Sequence, residues 1–338
     1  MLCSFNTWQA FDTLRSMLDL NRLIELLNRP GTHSGTQLGE SLGVSRVAVQ
    51  KKIQGLIENG LPIQAVSGKG YCLERDINLI NAKDIQAALR HSDKVEDVEV
   101  LQSVESTNSY LMATSIGVGV ARICIAEAQT SGRGRRGNDW QSAPYRNVMM
   151  SVSWGFDSWP ATITGLGLAV ALCVTESLNK QFGLNIQIKW PNDLMVGGDK
   201  LAGVLIDVAG ESSGACNVVI GLGLNVHQPD WSLDAKSAYQ WQDLQRLGVS
   251  VNRNQLIALL VDALTEMLSE FSEQGFTHMV DRWNALSSYA GKQIKVGNDD
   301  SFIVGNMLGV DASGALLLKD LVGETHVFSE STVSVRLV

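Results

Sequence analysis

The spacing of the hydrophobic residues changes along this chain, and the change restricts the fold to several domains of different class. Apolar residues recur every three to four positions between Leu20 and Ile57, which is typical of amphipathic helices. Strand-like and helical segments then alternate, and five short strand-like runs separated by Gly, Asn and Asp fill the C-terminal part. Because 338 residues suffice for two or three cores, we predict an α/β fold of the α+β kind, with domains at 1–79, 80–288 and 289–338.

The composition excludes several classes of protein. No uninterrupted apolar run reaches the roughly 18 residues of a membrane-spanning helix. Residues 1–10 lack the basic and apolar segments of a signal peptide, and we assign no function to residues 1–16. The five cysteines are scattered without a CxxC or Cys/His cluster, so we expect neither a zinc site nor a disulfide framework. A reduced, cytoplasmic environment and no membrane partner are therefore expected.

The net charge of −8 conceals a difference between the two ends of the chain. Residues 1–75 contain eight Lys and Arg and six Asp and Glu, whereas the remainder contains 19 and 29. The first segment is therefore slightly basic and the remainder acidic. Such a difference indicates different partners for different domains and excludes a chain that binds nucleic acid along its whole length.

Signals for three helices lie at the start of the chain. The helical spacing of residues 20–27 is followed by a capping box, in which Ser34 caps a short helix and Gln37 lies three residues later. Gly43 ends that helix, and Ser45 is a candidate N-cap for the next one. Two helices joined by a tight glycine turn form a helix-turn-helix, whose second helix fits the DNA major groove.

A β-hairpin is predicted after these helices. Ile63 and Ala65 alternate with polar residues, as do Tyr71 and Leu73, around a turn that carries Lys69, which is typical of the wing of a winged helix. Arg, Gln and Lys side chains contact base edges or neutralise phosphates. The residues that we expect at the DNA are Thr36, Ser45, Arg46, Ala48, Gln50, Lys51, Lys52 and Lys69. The alternative is a small helical dimerisation or docking domain with a solvated basic face.

A loop rich in glycine and arginine follows the strand-like segment 123–128. Its sequence QTSGRGRRG (129–137) contains the GxGxxG spacing of dinucleotide-binding folds, but that fingerprint must open a helix, and segment 138–144 has the composition of a loop. Glycines let backbone N–H groups face an anion, and arginines are planar donors for phosphate or carboxylate. The loop therefore suits a site where charge develops on an α-phosphate. The alternative is a basic surface loop.

Two further segments place polar residues at strand ends. Pro191 ends the strand-like run 186–189, a hairpin is predicted next, and Lys200 opens the following strand, where a compact cation can point into a site. A later strand ends in glycines and Asn225, which permits close approach of a flat ligand. Taken alone, Lys200 would be a solvated hairpin lysine and Asn225 a turn residue.

These segments occur together, in order and spacing, in one protein family. The shared motifs are STN (106–108), QTSGRGRRG (129–137), KWPND (189–193), KLAG (200–203) and GLGLN (221–225). With the predicted winged helix, they make nearly the whole chain resemble the bifunctional bacterial biotin–protein ligases that also repress the biotin operon. The resemblance implies an N-terminal winged helix-turn-helix, a central mixed-sheet catalytic domain like that of class II aminoacyl-tRNA synthetases, and a C-terminal SH3-like β-barrel.

The resemblance also implies a function. Such ligases activate biotin with ATP to biotinyl-5′-AMP and transfer biotin to a lysine of the biotin carboxyl carrier protein of acetyl-CoA carboxylase, with Mg²⁺ carried by ATP and no protein-bound metal. They bind biotin operator DNA as homodimers that form on ligand binding, with biotinyl-5′-AMP as corepressor. A lipoate-type ligase is one alternative, against which the arginine loop and the winged helix argue. A non-catalytic regulator that senses a small molecule is the other, against which the intact arginines and Lys200 argue.

The resemblance implies a role for each matching residue. Catalysis is implied for Lys200, Arg133, Arg135 and Asp193. Biotin binding is implied for Ser106, Thr107, Asn108, Gln129, Gly132, Arg133, Gly134, Arg135 and Lys200. Contact with ATP or the adenylate is implied for Arg135, Trp140, Asn192, Gly221, Gly223, Asn225, Trp241 and Arg336. Segment 227–242, where the family has a loop over the adenylate, shares little with it beyond Trp241.

Overall fold

A computed structural model describes the chain from residue 20 to its end, with short gaps. The residues outside the described part are 1–19, 59, 74–76, 115, 158–162, 211–214, 229–240, 298–300 and 330–332. Residues 1–16 and most of segment 227–242 therefore lie outside it. Contacts divide the chain into a first unit, residues 1–79 with 143–146, and a second unit, residues 80–142 with 147–338. No helix in the described ranges is long and apolar enough to cross a membrane.

Within its described residues, the first unit contains three helices and a hairpin. Its elements are α1 (20–27), α2 (Gly35–Leu42), α3 (Arg46–Glu58), β1 (Ile63–Val66) and β2 (Gly70–Leu73). The predicted capping box is confirmed, because Ser34 and Gln37 each accept, through the side chain, the backbone N–H of the other at 3.2 Å. The predicted end of α2 is confirmed as well. Gly43 is left-handed there, with φ 66°, a conformation that glycine adopts without a steric penalty.

Helix α3 is held by its apolar face, as predicted. Ser45 Oγ accepts the backbone N–H of Ala48 at 3.2 Å and so caps the helix. Val49, Ile53 and Leu56 are buried against apolar residues of α1 and α2. Strands β1 and β2 pair antiparallel and form the predicted hairpin. Only part of the predicted alternation on β1 reaches the core, because Ile63 is buried while Ala65 is exposed.

The second unit contains a mixed seven-stranded sheet. Its strands are β3 (Val95–Leu101), β4 (Ala121–Ala126), β5 (Val148–Phe156), β6 (Gln187–Lys189), β7 (Asp193–Val196), β8 (Asp199–Gly210) and β9 (Cys216–Leu224). They pair in the order β3-β4-β5-β9-β8-β7-β6. Strands β3 and β4 are parallel, and the other neighbours are antiparallel. The predicted mixed sheet is therefore confirmed.

Helices cover this sheet. They are α4 (Ala82–Ala88), α5 (Thr107–Met112), α6 (Leu166–Phe182), α7 (Arg253–Gln274) and α8 (Val280–Ala285). Strand β5 is buried along its whole length, so both faces of the sheet are covered at that strand. Val152 and Trp154 of β5 enter the main core, while the alternate residues Ser151 and Ser153 face the other side. That polar side of β5 contributes to the site described below.

Five C-terminal strands form a separate antiparallel sheet within the second unit. They are β10 (Gln293–Gly297), β11 (Phe302–Val310), β12 (Leu316–Asp320), β13 (Thr325–Phe328) and β14 (Ser334–Leu337). Each strand begins one or two residues after the start of the corresponding predicted run. The predicted runs are 292–296, 301–309, 315–319, 324–328 and 332–337. The strands pair in the order β13-β12-β11-β10-β14. The indole N–H of Trp190 donates to the Gly314 carbonyl at 3.1 Å and joins this sheet to the turn after β6.

Candidate active site

A cavity of about 930 Å³ in the second unit brings most of the sequence-predicted site residues together. Its wall is formed by strands β5, β8 and β9, the loop after β4, the turn after β6 and strand β14. The predicted residues that line it are Ser106, Thr107, Asn108, Gln129, Arg133, Gly134, Arg135, Trp140, Asn192, Asp193, Lys200, Gly221, Gly223, Trp241 and Arg336. Gly132 and Asn225 lie outside this lining.

Lys200 is placed at the cavity by the β7–β8 hairpin. Gly197 and Gly198 form the turn with φ of 62° and 97°, which glycine adopts without strain. Lys200 Nζ lies 2.6 Å from Asp193 Oδ1 and 5.4 Å from the centre of the Trp140 ring. Only 18% of each side chain of the ion pair is exposed, so solvent screens the charges less than at an open surface. The hairpin therefore presents an oriented cation to the cavity.

The loop after β4 supplies the guanidinium groups of Arg133 and Arg135 to the cavity. Arg133 Nη2 lies 2.5 Å from Asp207 Oδ2, and Arg135 Nη1 donates to Asn192 Oδ1 at 3.3 Å. Regular structure in the loop is limited to one 3-10 turn over Arg135–Gly137, so the GxGxxG spacing does not open an α-helix, as the sequence indicated. Planar donors of this kind, next to a lysine, suit a ligand that carries a carboxylate and phosphates.

A buried hydrogen-bond network forms another part of the cavity wall. The backbone N–H of Thr107 donates to Gln129 Oε1 at 2.8 Å, and Thr107 Oγ1 lies 3.1 Å from the same oxygen. Ser151 Oγ lies 2.6 Å from both Thr107 Oγ1 and Asn108 Oδ1. The network is sealed from water, since Thr107 and Asn108 are 3% exposed and Ser151 is fully buried. Satisfied polar networks of this kind fix side-chain orientation, so this part of the wall offers ordered donors and acceptors to a neutral polar ligand group.

Three glycines leave room for the side chains of the wall. A Cβ atom on Gly221 would lie 2.3 Å from Asn108 Oδ1, and one on Gly223 would lie 2.3 Å from the Trp140 ring. A Cβ on Gly132 would lie 2.5 Å from the Trp140 carbonyl oxygen. The sequence suggested that glycines at the end of β9 admit a ligand. In the structure the close approach is made by protein side chains, which these glycines allow to reach the cavity.

Asn225 supports the cavity wall although it does not line the cavity. It is fully buried, and its Nδ2 donates to the carbonyl oxygens of Lys200 at 3.4 Å and Gln242 at 3.2 Å. Next to it, Trp241 forms an isolated backbone bridge with Lys200 and packs edge-on against Trp140, with ring centres 5.7 Å apart. Asn225 therefore connects the lysine strand to the segment that carries Trp241.

Sequence reasoning missed several residues of the site. Lys189 and Tyr289 line the cavity, and Arg136 lines it with φ 58° and donates to the Val333 carbonyl. Asp207 pairs with Arg133 although it lies outside the lining. An acidic residue within the apolar run of β8 was the available signal for Asp207. Lys189 and Arg136 lie inside motifs that the sequence analysis had already marked.

The first unit exposes the polar face of α3. Val47, which the sequence analysis did not single out, is an apolar side chain that is 74% exposed on the same helix. Lys69 is exposed at the turn of the hairpin, and Ser45 is occupied as the cap of α3. The other residues predicted at DNA are exposed or half-buried on α2 and α3, namely Thr36, Arg46, Ala48, Gln50, Lys51 and Lys52.

Two family models and several curated relatives match this chain. A family model described as the biotin/lipoate A/B protein ligase family matches residues 100–225, and a model described as an HTH domain matches residues 19–72. Over 88% of its length the chain is 38% identical to the bifunctional ligase/repressor BirA of Escherichia coli K12, and it covers 91% of that protein. The Bacillus subtilis bifunctional ligase/repressor BirA is 28% identical over 91% of this chain, which covers 96% of that protein.

A solved structure shares the fold. The biotin protein ligase from Aquifex aeolicus in complex with biotin and ATP matches with a TM-score of 0.59 at 22% identity, over 72% of this chain and 99% of that chain.

Proposed function

The chain belongs to the family of bifunctional ligase/repressors, and from this premise we propose that its second unit activates biotin with ATP and biotinylates a carrier protein, while its first unit binds operator DNA. The observation that carries the proposal is the cavity itself. It brings Lys200, Arg133 and Arg135 together with uncharged hydrogen-bonding side chains such as Thr107 and Gln129. This combination suits an acid that carries an uncharged polar group for hydrogen bonding and a carboxylate that reacts with ATP. The proposed reactants place the activity in the cytoplasm.

In the activation step, a carboxylate oxygen of biotin attacks the α-phosphorus of ATP, and the bond from that phosphorus to pyrophosphate breaks. Negative charge develops on the α-phosphate, and Lys200 is oriented to stabilise it. Arg133 and Arg135 supply planar donors to the carboxylate and the phosphates. Magnesium accompanies ATP and offsets the charge of its phosphates. The product that stays bound is biotinyl-5′-AMP.

In the transfer step, the neutral ε-amine of an acceptor lysine attacks the acyl carbon of biotinyl-5′-AMP. An amide bond forms, the bond from the acyl carbon to the phosphate oxygen breaks, and the amine loses a proton as AMP leaves. We assign Asp193 to orient the incoming amine, because its carboxylate already holds an ammonium group, that of Lys200, at the cavity. The proposed acceptor is the biotin carboxyl carrier protein of acetyl-CoA carboxylase, and relatives of this chain carry the name biotin–[acetyl-CoA-carboxylase] ligase.

The uncharged side chains of the cavity wall favour biotin over lipoate. Gln129 and Thr107 offer both donors and acceptors there. A ureido group has two N–H donors and a carbonyl acceptor that can hydrogen-bond with such groups, whereas a dithiolane ring has no strong donor or acceptor to offer them.

The DNA-binding half of the proposal is supported by the winged helix of the first unit. Its basic face is small, so one copy would bind DNA weakly at physiological salt. We propose that binding of biotinyl-5′-AMP brings two chains together as a homodimer, and that two winged helices then engage the two half-sites of a biotin operator. In this plan residues 1–79 bind DNA, residues 80–288 carry the reaction, and residues 289–338 form the C-terminal domain.

Pyrophosphate exchange tests the enzymatic half. Purified full-length protein is incubated with ATP, Mg²⁺ and labelled pyrophosphate, with biotin, with lipoate or with no acid. Exchange that requires biotin is the expected result. Exchange that requires lipoate would establish a lipoate-type ligase, and no exchange with either acid would leave a regulator that binds a small molecule.

A further inference from the structure

One carboxylate oxygen connects two separate parts of the cavity wall. Asp207 lies on β8, and 24% of its side chain is exposed. Its Oδ2 accepts from Arg133 Nη2 at 2.5 Å and from Asn108 Nδ2 at 3.0 Å. Arg133 belongs to the loop after β4, and Asn108 belongs to α5. Asp207 therefore holds a cation of the loop and a buried amide of the helix at a single point.

The hydrogen bonds that begin at Asp207 continue through Asn108 to further polar residues of the cavity wall. An ionised carboxylate only accepts, so Asn108 donates to it and turns its own Oδ1 toward Ser151. Because an amide oxygen also only accepts, Ser151 donates to Asn108, and Ser151 Oγ also lies 2.6 Å from Thr107 Oγ1. Gln129 Oε1 then accepts the backbone N–H of Thr107. One chain of hydrogen bonds thus runs from Arg133 through Asp207 to Gln129.

We propose that Asp207 is a positioning residue for the activation reaction. It fixes Arg133 for the carboxylate end of the acid and, through Asn108 and Thr107, fixes Gln129 for the opposite end. This inference rests on the proposed function. The Arg133 guanidinium carries five N–H groups and uses Nη2 for Asp207, which leaves donors for a substrate carboxylate. Side chains held in the productive geometry in advance lower the cost of binding.

In a competing account, the Asp207–Arg133 ion pair hinders binding of the substrate carboxylate. If Asp207 only neutralised Arg133, the pair would have to break before a substrate carboxylate bound, and removal of Asp207 would tighten binding. The second partner of Oδ2 argues against that account. Asn108 is 3% exposed, so loss of the carboxylate would strand a buried N–H group. The two accounts predict opposite changes in biotin affinity.

The first test uses Asp207→Asn in the full-length protein, which keeps the side-chain volume and removes the charge. Because a neutral amide oxygen accepts more weakly than a carboxylate from Arg133 and Asn108, the KM for biotin, and the Kd for biotin measured by calorimetry without ATP, should rise about tenfold. The change in kcat should be much smaller, because the contacts are already made in the ground state. Asp207→Glu restores an ionised acceptor and should recover part of the affinity.

Glu176→Gln is the matched control. Glu176 pairs with Arg282, lies outside the cavity lining and should leave both constants unchanged. Thermal melting of each variant separates a binding defect from a folding defect. If Asp207→Asn fails to fold, Asp207→Glu alone decides, since a longer acceptor should weaken biotin binding measurably while preserving the fold.

The second test asks whether Asp207 acts through Arg133. In an Arg133→Gln background, Asp207→Asn should have a much smaller effect on the KM for biotin than in the wild type, because coupled residues are not additive. Independent, multiplied effects would overturn the inference, as would unchanged or tighter biotin binding in Asp207→Asn. A wild-type protein without biotin-dependent exchange would overturn the proposed function and this inference with it. An active wild type with an equally active Asp207→Asn would overturn this inference alone.

Discussion

Lys200 and Asp193 form an ion pair across the β7–β8 hairpin, with Nζ and Oδ1 2.6 Å apart. The hairpin register places Asp193 opposite Gly203, where a Cβ atom would lie 3.2 Å from the lysine Nζ. Gly203 therefore leaves the space through which the lysine chain passes to the carboxylate. The fold itself therefore orients the lysine toward the cavity.

Lys200→Ala should abolish most of the activation reaction while the protein stays folded. A preorganised donor aimed at developing charge accounts for roughly 10²–10³-fold in rate. Biotin-dependent pyrophosphate exchange on purified protein measures the loss. Lys180→Ala, at an exposed lysine of α6, is the control and should be fully active. Activity of Lys200→Ala within a few-fold of wild type would remove Lys200 from the mechanism.

The loop 132–137 should be protected from protease when biotin and ATP are both present. Its glycines allow many backbone conformations, and bound carboxylate and phosphate groups would add anionic partners for its arginines to the existing Arg133–Asp207 pair. Trypsin should cut after Arg133, Arg135 or Arg136 in the free protein, and the cleavage sites are identified by mass spectrometry. Equal rates of cleavage with and without the two ligands would contradict the prediction.

The features that sequence reasoning predicted are those with a local cause. Capping at Ser34 and Ser45, the end of α2 at Gly43 and the positions of the C-terminal strands depend on residues a few positions apart. The cavity residues were found because their motifs are contiguous. Nothing local specifies where the motifs meet, so a family resemblance was needed to bring them together.

The features that sequence reasoning missed depend on distant pairs. Asp207 gains its role from Arg133, which is 74 positions away, and no spacing rule joins the two. The glycines at the end of β9 gave a correct signal of close approach, but the partners, Asn108 and Trp140, become visible only in three dimensions.

Another pair that is distant in sequence, Arg253 and Glu127, should contribute strongly to the free energy of unfolding of the second unit. Arg253 and Glu127 are 3% and 2% exposed and form two hydrogen bonds, at 2.7 and 3.1 Å. Glu127 also accepts the backbone N–H of Ile80 at 2.8 Å. Glu127→Leu removes the carboxylate partner of a buried arginine and should lower the free energy of unfolding by about 3–5 kcal/mol.

Urea unfolding followed by circular dichroism measures this loss, with the transition of the second unit fitted separately because the chain has two units. The matched control is Glu176→Leu, in an exposed pair with Arg282, for which a loss of about 0–1 kcal/mol is expected. A similar small loss for Glu127→Leu would show that the buried pair is not a stabilising element.

DNA binding should depend on both the α3 face and the ligands. Arg46→Ala or Lys51→Ala removes a phosphate or base contact and should weaken operator binding while biotin transfer remains intact. A gel shift with the region upstream of the biotin genes of the source organism, with and without biotin and ATP, measures binding. The ligands should tighten binding strongly through dimerisation. If the ligase is active and no ligand-dependent shift occurs at any concentration, the repressor half of the proposal fails.

The most direct test of the account is the mass of a carrier domain from acetyl-CoA carboxylase after incubation with this protein. With biotin, ATP and Mg²⁺ together, the account predicts that the domain gains one biotinyl group on one lysine, and that omission of biotin or ATP, or use of Lys200→Ala, prevents the gain. A carrier whose mass stays unchanged under the complete conditions, or that gains a lipoyl group in place of biotin, would contradict the account.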